Sequence, residues 1–196
     1  KVTPSANFEN VDITLKPYLA SLPFIKKGFS LSQMSFDLKI SERNLKAIEY
    51  LRAQNIRFCV ATGRPDQLMK EYVSLLHMDE PMIMYNGSVI GHPFKEERLY
   101  ENVLTKEDVR DIVTYCNTYD IICMVYTKDK LISKPNYRVD FFEERNKLLP
   151  KHERSVFEDI SDVDTIVNDY LVQKILIIEN DETKYKETKK MLEQHD

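Results

Sequence analysis

Long apolar runs, an excess of basic charge and ordered cysteine spacing are all missing from this 196-residue chain. No apolar stretch approaches the roughly 20 residues that span a bilayer, so no membrane segment is expected. Residues 1 to 15 are polar and mixed, without a secretory leader pattern. Lysine and arginine number 28 against 32 acidic residues, a formal net charge of -4, which removes the electrostatic footprint of a nucleic-acid binder. Cys59, Cys116 and Cys123 are odd in number, lack metal-ligand spacing and sit in or beside apolar runs. They read as reduced core thiols of a cytoplasmic protein. The histidines, His77, His92, His152 and His195, are scattered without ligand spacing. There is no repeat and no low-complexity tract. The chain opens on Lys1 rather than Met, which reads as a processed product or an incomplete chain.

What is present is ordinary for a globular protein: 42% hydrophobic and 31% charged residues, in a length that suits one domain or two small ones. Residues 1 to 35 hold three prolines and no sustained period. From residue 40 the pattern sharpens. "ISERNLKAIEYLRAQN" places Leu45, Ile48 and Leu51 at helical spacing behind Ser41, a good N-cap. "IRFCVA" is a short apolar run of the kind buried on both faces of a parallel sheet. "PDQLMKEYVSLLHM" predicts a second helix, and "PMIMYNGSVIG" a strand closed by Asn86-Gly87. Helix, strand, helix, strand with short connections predicts βαβ units and a parallel sheet. After a crossover at Gly91-His92-Pro93 the rhythm changes. "TKEDVRDIVTYCNTYD" predicts a helix capped by Thr105, "IICMVYT" and "KLISKP" a hairpin, "SDVDTIVNDYL" a short helix, "VQKILIIEN" a strand and "DETKYKETKKMLEQHD" a last helix. The phenylalanines of "DFFEER" could line a pocket or pack in a core; "YKETKKMLE" reads as a solvated helix face.

Ligands of open α/β sheets bind at the carboxyl ends of the strands. Thr62-Gly63-Arg64 and Asn86-Gly87 both fall there. A strand-to-helix turn favours an anion through its N–H groups and the helix dipole. Thr62 adds a hydroxyl, Gly63 allows close backbone approach, and Arg64 can grip a phosphate or carboxylate with two prongs. Pro65 suits the first helical position. The plainer alternative stays open: Thr62 caps, Gly63 turns, Arg64 is solvated, and Asn86-Gly87 is only a tight turn.

"ISERNLKAIEYLRAQNIRFCVATGRP", followed by "MDEPMIMYNGSVI", resembles the Cof-like phosphatases of the haloacid dehalogenase superfamily over roughly residues 38 to 196. The resemblance implies an α/β protein: a partial parallel-sheet core of that superfamily at 38–90, an α+β cap domain of C2B type at 91–196, and a segment 1–37 of unclear structure. It implies a cytoplasmic phosphoric monoester hydrolase acting on small phosphorylated metabolites such as sugar phosphates. It maps Thr62 onto the threonine that binds the transferred phosphoryl group, Gly63 and Arg64 onto the substrate side, and Asn86 and Gly87 onto the edge of the active site.

The family's chemistry also needs a DxDGT motif, whose first aspartate is nucleophile and Mg²⁺ ligand and whose second is the acid and base. At the expected distance before "ISERN" stand Gly28 and Ser30, and no Asp-Gly-Thr occurs anywhere. A shorter register offers Asp37 as nucleophile with Lys39 in the acid/base place. The family lysine and its GDxxND metal motif are likewise absent. Mg²⁺ is thus implied by the family without its ligands in this chain. The expectation is a catalytically impaired member, a pseudoenzyme. Its alternatives are a non-catalytic phosphate-ligand or interaction module and part of a phosphatase completed by another chain. A partner chain or an oligomer would cover the unfinished sheet.

Overall fold

The computed structural model describes residues 40 to 195. They form two units, the first running to Glu101 and the second starting at Asn102. Residues 1–37, with Gly28, Ser30 and Asp37, lie outside the described residues.

The first unit begins with α1, Glu42–Ala53. Ser41 itself is extended, and its hydroxyl accepts the Asn44 N–H at 3.3 Å. Ile48 and Leu51 turn inward. The run 56 to 61 behaves differently from its expected two-sided burial. Phe58 and Val60 are buried while Arg57 and Cys59 are exposed, the alternation of a half-buried extended chain. The core-thiol reading therefore does not hold for Cys59. Only Ala61 pairs, in parallel, with Ile83. That pairing is nevertheless the parallel contact that the βαβ pattern predicts, with Ile83 N–H to Val60 C=O at 2.9 Å and Thr62 N–H to Ile83 C=O at 2.8 Å.

The expected second helix divides into a 3-10 turn at Asp66–Leu68 and α2, Lys70–Leu76. Tyr72, Val73 and Leu76 face inward, and Leu75 is exposed. The Asn86-Gly87 stretch separates two strands. β1 (Met82–Met84) and β2 (Val89–Gly91) pair antiparallel, and β3 (Arg98–Glu101) extends the sheet in the order β1-β2-β3. Gly91 thus ends a strand of the first unit's sheet, and His92 beside it is buried, its Nε2 3.0 Å from the Met78 carbonyl.

The second unit is a four-stranded sheet in the order β6-β5-β4-β7: β4 Ile122–Thr127, β5 Leu131–Ile132, β6 Phe157–Glu158, β7 Val172–Ile178. β4 with β5 is the expected hairpin, and β7 pairs antiparallel along β4. Its helices are α3 (Lys106–Thr118), α4 (Tyr137–Asn146), α5 (Val163–Asp169) and α6 (Glu182–Leu192). Val109 and Val113 of α3 and Ile166 and Val167 of α5 close over Val125, Ile132 and Val172. Each such side chain contributes on the order of 1.5–3 kcal/mol by leaving water. Each of these helices starts at a side-chain cap: Thr105, Asn136, Asp162 and Asp181 accept N–H groups of the first turn. Phe142 is buried and stacks on Phe157 with centroids 6.3 Å apart, while Phe141 is exposed. Lys186 and Glu182 pair at 2.7 Å on the exposed face of α6.

Candidate functional site

The two short motifs, separated by more than twenty residues in sequence, meet back to back. The Thr62 N–H is fixed on Ile83. Past it the chain turns tightly: the Thr62 Oγ1 accepts the Arg64 N–H at 3.1 Å. That contact uses an oxygen lone pair and leaves the hydroxyl hydrogen for donation. The Asn86 N–H then reaches the Thr62 carbonyl at 3.2 Å, and the Tyr85 N–H reaches the Arg64 carbonyl at 3.1 Å. Gly63 lies under the Asn86 side chain so closely that a Cβ would collide with its amide oxygen. This is a physical reason for glycine at 63, independent of any ligand.

The second turn is left-handed at three successive residues, with φ of 51° at Tyr85, 61° at Asn86 and 109° at Gly87. Asparagine and glycine tolerate this region; tyrosine does so only under constraint. Gly87 has open space where a Cβ would go, so its requirement is conformational.

Arg64 is oriented from the side. Its guanidinium lies 5.1 Å from the centre of the Tyr72 ring, and Nη1 is 3.4 Å from the Tyr72 hydroxyl. Tyr72 itself is buried in α2.

Three residues not singled out from the sequence underlie these turns. Asp66 is 2% exposed. Arg98 grips it with two prongs, Nη1 to Oδ1 at 2.6 Å and Nη2 to Oδ2 at 2.8 Å. The Tyr85 hydroxyl donates to Asp66 Oδ2 at 2.9 Å. Burial pushes the Tyr85 phenol pKa well up, and the Asp66 charge adds to it, so Tyr85 stays a proton donor. For Arg98, burial alone would lower the pKa; the hydrogen bonds and charge of Asp66 reverse this and raise it.

Among the described residues no group of three or more His, Cys, Asp and Glu could hold a metal ion. Mg²⁺ takes oxygen ligands in octahedral geometry, usually including one or two carboxylates. Asp66, the buried carboxylate beside these turns, has both oxygens engaged by Arg98, so it does not suit the Mg²⁺ that the resemblance implies. The single Asp-x-Asp of the sequence, Asp162 and Asp164, lies in the second unit with structural duties. Asp162 Oδ2 accepts the Thr165 N–H at 3.0 Å and its hydroxyl at 2.6 Å, and Asp164 pairs with Arg110 at 2.5 Å.

The profile of the haloacid dehalogenase-like hydrolases matches residues 34–196. A curated relative, the 5-amino-6-(5-phospho-D-ribitylamino)uracil phosphatase YitU of Bacillus subtilis, is 28% identical over 107 residues, which are 54% of this chain and 38% of that protein. A solved haloacid dehalogenase-like hydrolase from B. subtilis superposes with a TM-score of 0.67 at 17% identity, covering 84% of this chain and 63% of that one. A solved subclass IIB sugar phosphatase of the superfamily gives 0.60 at 18% identity, covering 79% and 57%. At these identities the solved structures establish the fold, a core of haloacid dehalogenase type with an α+β cap. The chain spans less than two thirds of each of these relatives. By its profile, matched over residues 34–196, the chain belongs to the haloacid dehalogenase-like hydrolases.

Proposed function

We propose that this chain binds a small phosphate monoester at the Thr62–Arg64 turn and, by itself, does not hydrolyse it. The observation that carries the binding half is the joining of the two motifs. Thr62, with a hydrogen to donate, and Arg64, steered by Tyr72, stand at the end of the extended segment that pairs with β1. A hydroxyl and a guanidinium are the donors that suit a phosphate dianion. The non-catalytic half rests on the sequence. An aspartate nucleophile and an aspartate acid/base spaced as DxDGT are absent, and removing members of such a set costs several orders of magnitude in rate.

The substrate class follows from the relatives. One is described as a phosphatase of a phosphoribityl compound and another as a sugar phosphatase. A phosphorylated sugar or polyol is therefore the ligand we assign.

The test measures two quantities on the same protein. Phosphate release is followed from a panel of sugar phosphates and an aryl phosphate, with Mg²⁺ and with a chelator. Binding of the same compounds is followed by calorimetry. Binding without turnover is expected, with Arg64→Ala weakening it at least tenfold. Mg²⁺-dependent release well above background that Asp37→Asn abolishes would overturn the non-catalytic half and make Asp37 the nucleophile. Absence of binding to any phosphate compound would overturn the reading as a whole.

A further inference from the structure

We infer that Asp66, Arg98 and Tyr85 form a positioning device: they hold the Thr62–Arg64 turn in its phosphate-facing shape and cancel the charge of a buried carboxylate two residues from Arg64. This rests on the reading of Thr62 and Arg64 as an anion site and deepens it.

Tyr85 keeps a left-handed backbone that a bulky side chain disfavours, and Asn86 and Gly87 continue it. Such a conformation persists only where the surroundings over-determine it. Here the surroundings are identifiable. Arg98, on β3, fixes Asp66 through both prongs, and Asp66 fixes the Tyr85 hydroxyl. The Tyr85 and Asn86 N–H groups hold the carbonyls of Arg64 and Thr62. One continuous path thus runs from β3 to the backbone on both sides of Gly63. If the Tyr85 hydroxyl is released, the tyrosine can leave the left-handed region, and the two backbone bonds leave with it.

A buried carboxylate close in sequence to an anion-gripping arginine would oppose a phosphate. Arg98 answers it with a matching buried charge; the side chains of the pair are 9% and 3% exposed. Buried ion pairs of this kind are often replaceable by apolar side chains of similar volume at little cost in stability. The Tyr85 hydroxyl links this pair to the strained turn.

The test uses the full chain and two readouts: amide hydrogen exchange at Tyr85 and Asn86, and the Kd for inorganic phosphate. Tyr85→Phe removes one hydroxyl. It is expected to keep the circular dichroism spectrum, to speed exchange at both amides by about tenfold, and to weaken phosphate binding by about tenfold. That size follows from one hydrogen bond to a charged group and from the smaller fraction of competent turns. Arg98→Lys, which keeps the charge and loses the fork, is expected to act in the same direction, and it gives both readouts should Tyr85→Phe fail to fold. Unchanged exchange at 85 and 86 overturns the inference, as does an unchanged Kd in a variant whose turn has loosened. Failure of the unsubstituted chain to bind phosphate strikes the proposed function instead. The exchange result then still decides whether the triad holds the turn.

Discussion

Gly63 is where the two motifs touch, and it makes the account sharpest at a single residue. Any side chain there must displace the Asn86 amide. Gly63→Ala is expected to cost about 1–3 kcal/mol of stability, as overpacking typically does, and to weaken phosphate binding with it. Urea unfolding and a phosphate titration on the same sample check this. Thr62→Val should be milder, about 1 kcal/mol, since it leaves the Arg64 N–H without its oxygen. Unchanged stability in both would mean that the back-to-back turns are not held as described. At this scale the sequence was partly legible. Thr62, Gly63, Arg64, Asn86 and Gly87 stand in short local patterns, and two of the chain's four glycines are among them. Asp66, Arg98 and Tyr85 were not found, because nothing local marks them. Arg98 meets Asp66 across 32 positions, and Tyr85 reads as one more apolar residue before Asn-Gly.

Whole elements follow their caps. Thr105 accepts the Asp108 N–H at 3.1 Å, so Thr105→Ala is expected to destabilise α3 by about 1 kcal/mol in a urea titration. The same helix starts give a pH dependence. The Thr105 hydroxyl, and then His195, hold the Asp108 carboxyl below its ordinary 3.8. The Thr165 hydroxyl and N–H do the same for Asp162 at the start of α5. A carboxylate lowered by folding contributes stability that is complete above its unfolded value and is lost as pH falls through the folded one. Helical signal in circular dichroism is therefore expected to be flat from about pH 7 to 5 and to fall below about pH 4. A gain in stability on acidification below 4 would contradict it. The second unit was legible because caps and apolar periods coincide along its helices. The first unit was less so. An apolar run such as Ile56–Ala61 does not reveal that only one side is covered, and "PDQLMKEYVSLLHM" does not reveal that the segment divides at Met69 into a 3-10 turn and a short α-helix.

For the whole molecule the question is how a chain of the haloacid dehalogenase-like hydrolases uses what it has. The second unit is expected to be robust but cooperative: Ile166 is 1% exposed in its core, and Ile166→Ala should cost about 2–5 kcal/mol by thermal unfolding. The first unit carries the Thr62, Gly63 and Arg64 turn, whose neighbouring Arg98–Asp66 ion pair and left-handed Tyr85 are visible only in three dimensions. The family's fold is present, no Asp-x-Asp-Gly-Thr occurs in the sequence, and we propose that binding at Thr62 and Arg64 has outlasted hydrolysis. One ³¹P NMR experiment reads both at once: a sugar phosphate incubated with the chain and Mg²⁺. Exchange broadening or a shift of the ester resonance, lost in Arg64→Ala, with no inorganic phosphate growing over hours, is the expected result. Growth of the inorganic phosphate signal, or an ester resonance that the protein leaves unmoved, would contradict it.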